Sequence, residues 1–156
     1  MIYEKLKNDP AVRAYIKRAD ESLLELGYTE HSFAHATRVT EMVRYILSRL
    51  GYSERELDIA CSAAYLHDIG NLINRVDHSQ SGAMMAFRIL DKMGVDPEDI
   101  ATVVTAIGKI IFSTRRFLIS VGLPAFFSSW RMLIINSFLV QVSFTTNGII
   151  TGTKAM

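Results

Sequence analysis

Helix start and stop signals recur through the first 108 residues, and they confine the chain to an all-α architecture. Asp9 before Pro10 is an N-cap followed by proline at the first helical position, and the run to Leu26 ends at Gly27, a natural C′ residue. The next helix is expected from about Glu30 to Leu50, stopping at Gly51. Ser53 with Glu56 three residues on forms a capping box, opening a helix whose apolar face (Leu57, Ala60, Ala64) leads to His67. After the loop GNLINRVDHSQ, a helix from about Ser79 to Met93 closes at Gly94. Asp96-Pro97-Glu98-Asp99 opens one more, with acids where the helix dipole favours them. No strand alternation or internal repeat interrupts this half, so a bundle of four or five helices is expected over 1–108.

The chain changes character near Gly108. All 16 acidic residues precede Ile100, and the last 57 residues contain none. Residues 1–108 carry a net charge of −4 and residues 109–156 a net charge of +5, so the overall +1 conceals two unlike parts. Nothing in the first part forms a strongly basic face, and a nucleic-acid duplex is not an expected partner.

At 156 residues one domain is the default. The single cysteine, Cys61, excludes an intramolecular disulfide framework, and no secretory leader opens the chain; a cytoplasmic location is expected. The apolar stretches 117–130 and 132–144 fall short of the roughly 20 residues of a spanning helix, and Arg115, Arg116 and Arg131 interrupt them. A membrane is therefore not an expected partner, a membrane hairpin being the lesser alternative.

Four histidines fall within 48 residues of an otherwise histidine-free chain. His31 and His35, four apart, are expected on one helix face; His67 and Asp68 close an apolar helix, and His78 follows Asp77 beyond the loop. A histidine beside an apolar face is more often a hydrogen-bonded core residue than a ligand, and His31 alone fits that description. The set as a whole does not: buried imidazole and carboxylate need a partner, and mixed N and O donors suit Mn, Fe, Zn or Mg.

At these residues the chain resembles the HD-domain superfamily of metal-dependent phosphohydrolases. The matching text is HATRV at 35–39, LHDIG at 66–70 and DHSQSGA at 77–83, within about residues 28–108. The resemblance implies an HD-domain helical bundle and metal ligation by His35, His67 and Asp68. It makes His78 a second-metal ligand or a contact to substrate phosphate, and gives catalytic roles to Asp68 and His78. It leaves His31 outside the ligand set. The expected cofactor is one or two divalent ions, Mn, Fe, Ni, Mg or Zn, and the expected partner a small phosphorylated substrate, nucleotides among the candidates. Bound metal would lower the pKa of a water toward ~7 and offset charge on the phosphoryl oxygens. Asn71 stands where many members carry lysine, HDIGN for HDIGK, which removes a cationic phosphate contact at that position.

The family's fourth ligand is an aspartate from a later segment reading like LADKSD, and no aspartate follows Asp99. The phrase ATVVTAIGK at 101–109 looks like the approach to a family Gly-x-His element, after which the resemblance stops. A change of reading frame accounts for both the lost ligand and the lost acids. Read one base earlier, the codons of Trp130, Arg131 and Met132 permit Leu-Ala-Asp. The expected organisation is thus an incomplete HD-type helical domain over 1–108 followed by an anomalous apolar tail over 109–156. The expected activity is hydrolysis of a phosphomonoester or phosphodiester, impaired by the missing ligand. The alternatives are a genuine divergent tail and a non-catalytic truncated helical relic or interaction module.

Overall fold

Buried positions three and four apart, such as Val12, Ile16, Ala19 and Leu23, set which face of each helix turns inward. The computed structural model describes residues 1–27 and 32–120. Among them run six α-helices and no strand: α1 (Ile2–Asn8), α2 (Pro10–Glu25), α3 (Phe33–Arg49), α4 (Glu54–Leu66), α5 (His78–Lys92) and α6 (Pro97–Ser120). A 3-10 turn, Ile69–Leu72, lies between α4 and α5.

The sequence signals act where expected. Asp9 accepts from the backbone N–H groups of Ala11 and Val12, with Pro10 opening α2. Ser53 and Glu56 complete a reciprocal capping box at α4. Gly27, Gly51 and Gly94 adopt positive φ where their helices stop. Two expectations fail. Helix α3 starts at Phe33 because Ser32 caps it, its hydroxyl accepting from Ala34 N–H, rather than near Glu30. Helix α1 carries no sequence signal of its own and raises the count above five. Its cap comes from elsewhere in the chain: the Asp58 carboxylate on α4 accepts from Ile2 N at 2.6 Å and Tyr3 N at 3.0 Å. The expectations for His31 and for 121–156 lie outside the described residues. Helix α6 runs on across the Gly108 boundary to Ser120.

Helix α4 is the axis of the bundle. Every residue from Leu57 to Leu66 is buried, which an apolar helix requires when neighbours cover it on all sides. Helices α1, α3 and α6 pack against it, α5 packs on α6, and the 3-10 turn rests on α5 and α2. Ala60, Ala63 and Ala64 leave room for these neighbours, while Leu6, Leu47, Leu90 and Val103 fill the core. Within α4 the buried Ser62 hydroxyl is satisfied, donating to the Asp58 carbonyl at 2.7 Å. A histidine and an aspartate at the C-terminal end of so rigid a rod are held in place by the core itself. No described helix is long and apolar enough to cross a membrane.

Candidate metal centre

His67 is the C-cap of α4, and Asp68 follows at the mouth of the 3-10 turn. His67 keeps only 4% of its side-chain surface, against 19% for Asp68. His67 Nδ1 lies 2.8 Å from the Ala64 carbonyl. A carbonyl only accepts, so Nδ1 carries the proton and Nε2 presents a lone pair in the neutral ring. That Nε2 is buried without a hydrogen bond, although Asp68 Oδ2 lies 2.9 Å away. Burial opposes charging of the ring, but the Asp68 carboxylate and the Ala64 carbonyl outweigh it and raise the His67 pKa above its ordinary value.

His35 arrives from the first turn of α3. Its Nε2 is 3.6 Å from Asp68 Oδ2, and its ring stands 5.4 Å from that of His67, tilted by 46°. Donor atoms of His35, His67 and Asp68 all lie within 4.8 Å of one another, and no other such group occurs among the described residues. His78, the first residue of α5, approaches the other carboxylate oxygen: Nε2 to Asp68 Oδ1 is 3.5 Å. Its Nδ1 is tied to the Arg75 carbonyl at 2.9 Å, repeating the arrangement at His67. Asp68 therefore sits between three imidazoles. His31 lies outside the described residues.

Glycine makes this convergence possible. A Cβ on Gly70 would stand 1.9 Å from the His78 carbonyl oxygen and 2.5 Å from Gly82 N, so turn and helix cross backbone against backbone. Asp77, immediately before His78, holds a left-handed conformation at φ 59°, an uncommon state for a residue with a Cβ. These two features set where α5 begins, and with it where His78 stands.

A family comparison matches residues 32–115 to the HD domain. The chain belongs to the HD-domain family. The match begins at the α3 cap and takes in all four site residues. An uncharacterised protein of Methanocaldococcus jannaschii is 30% identical over 108 residues, covering 60% of this chain and 42% of that relative. The chain thus spans less than half the length of the curated relative it matches. No solved structure matches.

The donor set fits the divalent ion the family implies. Two imidazole nitrogens and a carboxylate are the ligands Zn, Mn or Fe accept, and the buried lone pair of His67 answers to a cation better than to any group around it. The Ala64 carbonyl behind His67 is the orienting contact metal-binding histidines show. Asn71 was expected only as a lost lysine. It donates to the Asp68 carbonyl at 2.9 Å and to Asp68 Oδ1 at 3.3 Å, and it accepts from Arg75 Nη1 at 3.1 Å. The sequence signal for this was its place three residues after Asp68, within one turn.

Proposed function

We propose that His35, His67 and Asp68 hold a divalent metal and that the chain is a phosphohydrolase acting on a phosphomonoester or phosphodiester. The observation that carries the reading is the convergence of donors: His67 Nε2, buried and aimed inward because Nδ1 donates to the Ala64 carbonyl, faces the Asp68 carboxylate beside His35. A metal bound there would supply a water nucleophile near neutral pH and offset charge on the phosphoryl group. His67 and His35 contribute neutral imidazole donors, which must shed any proton they carry before binding. Asp68 gives a carboxylate whose orientation Asn71 fixes through the 3.3 Å hydrogen bond. His78 presents Nε2 toward Asp68, its Nδ1 being anchored to the Arg75 carbonyl, and so stands where it can serve as a ligand to a second ion.

A second reading rests on one observation: residues 100–156 contain no acid, so this stretch supplies no carboxylate to the ligand set. On that reading the chain binds metal weakly and turns over little or nothing. We ascribe the acid-free tail to a changed reading frame, and the coding sequence around Ile107–Ile111 tests this. The functional test is metal uptake of the full chain with Mn, Fe, Ni, Mg and Zn, followed by hydrolysis of p-nitrophenyl phosphate and its bis-ester. Uptake with turnover supports the phosphohydrolase as it stands, and uptake without turnover supports the second reading. Failure to bind any of the five metals would remove both.

A further inference from the structure

We propose that Arg75 is the phosphate-binding cation of this site, taking over from Asn71 a task the asparagine side chain cannot perform. The proposal rests on the phosphohydrolase reading and adds to it the residue that recognises the phosphoryl group. An anionic substrate brought to Asp68 meets a carboxylate, and three imidazoles surround it whose metal-binding forms are neutral. A guanidinium beside these groups adds a positive charge that does not depend on the metal. Arg75 Nη1 donates to Asn71 Oδ1 at 3.1 Å, and Asn71 Nδ2 reaches Asp68 Oδ1 at 3.3 Å, so the guanidinium is two hydrogen bonds from the carboxylate at the centre. The Arg75 carbonyl holds His78 Nδ1 at 2.9 Å, which ties the same residue to the fourth side chain of the cluster.

The loop that carries Arg75 is built to hold it still. Before it, Asn74 N–H donates to the Gly70 carbonyl at 3.2 Å. The Asn74 side chain donates to the Val76 carbonyl and accepts from the Ser81 hydroxyl of α5, so it clamps the chain on both sides of Arg75. After it, Asp77 turns left-handed and α5 begins. Ile73 and Val76 point outward while Arg75 is half-buried against Asn71. A planar guanidinium carries five N–H donors in a fork that matches two phosphate oxygens at once, and a guanidinium already seated loses less freedom on binding than a lysine would. Asn71 thus becomes a positioning residue: its amide oxygen aims the arginine and its amide nitrogen aims Asp68.

Inorganic phosphate is the probe, titrated calorimetrically into the full chain with and without bound Mg, in the wild type and in Arg75→Gln and Arg75→Lys. The expected result is saturable phosphate binding by the wild type, weakened at least tenfold in Arg75→Gln and by an intermediate factor in Arg75→Lys, which keeps the charge but not the fork. Affinity should fall with added salt in the wild type and respond less in Arg75→Gln, a difference that loss of a merely structural contact would not produce. Wild-type affinity in Arg75→Gln, or no phosphate binding by the wild type, would overturn the proposal. Should Arg75→Gln not fold, Arg75→Lys decides: phosphate affinity equal to wild type and equally salt-dependent counts against the fork. A wild type that takes up no metal would sink the metal reading instead, and the metal-free titrations would still judge Arg75.

Discussion

Gly70→Ala should damage fold and site together. The added methyl would begin 1.9 Å from the His78 carbonyl oxygen and 2.5 Å from Gly82 N, and both obstacles are backbone, so no side chain can rotate aside. Relief requires the 3-10 turn and the first turn of α5 to separate by about 1 Å, more than packed interiors yield without cost. Overpacking a core costs typically 1–3 kcal/mol, and a backbone collision belongs at the upper end or beyond it, about 3 kcal/mol. For a chain of this size that is a fall in melting temperature on the order of 10 °C. The same movement opens the 3.5 Å separation of His78 from Asp68. Gly82→Ala is the control. Its Cβ would meet Gly70 N at 3.3 Å and Ile107 Cγ2 at 3.5 Å, a contact relieved by a few tenths of an ångström, and alanine regains up to about 1 kcal/mol of helix propensity. Thermal denaturation followed by circular dichroism measures both variants. A Gly70→Ala protein melting within about 2 °C of wild type, or below which Gly82→Ala falls, would refute the backbone-crossing argument.

Asp58→Ala should cost about 1–2 kcal/mol by uncapping Ile2 and Tyr3, and hydrogen exchange should show the loss concentrated in α1. His67, with its pKa raised, binds a proton more readily folded than unfolded; in the metal-free protein its contribution to stability is present below pH ~6.5 and lost as pH rises through the folded value. Metal competes for the same ring, so apparent metal affinity measured by calorimetry should weaken as pH falls through that raised value, with proton release on binding. Cys61 is buried, and burial pushes its thiol up to about 11; it should resist a thiol reagent at pH 8 until the protein is unfolded.

Most of the helices were legible because their ends are written in local chemistry. Asp9-Pro10, Ser53 with Glu56, and the three positive-φ glycines each act within a turn of where they stand. Helix α1 was not legible because its cap, Asp58, comes from 55 and 56 positions away and no local pattern announces it. His35, His67, Asp68 and His78 could be named because HATRV, LHDIG and DHSQSGA resemble HD-domain text, and they converge in the fold. What holds them could not: the Ala64 and Arg75 carbonyls that set the tautomers are backbone atoms, anonymous in a sequence. Asn71 read as a loss because only its missing charge was visible, whereas its contacts to Asp68 and Arg75 depend on the 3-10 turn that brings them round.

The central claim is that His35, His67 and Asp68 form one metal site, and metal content across substitutions tests it most directly. After reconstitution with Zn or Mn and dialysis, the wild type should retain metal, His35→Ala should lose most of it, and His31→Gln should stay near the wild-type level. Each protein is analysed by elemental mass spectrometry alongside its melting curve, so that unfolding is not mistaken for ligand loss. Equal retention by wild type and folded His35→Ala, or equal losses in His35→Ala and His31→Gln, would contradict the site described here.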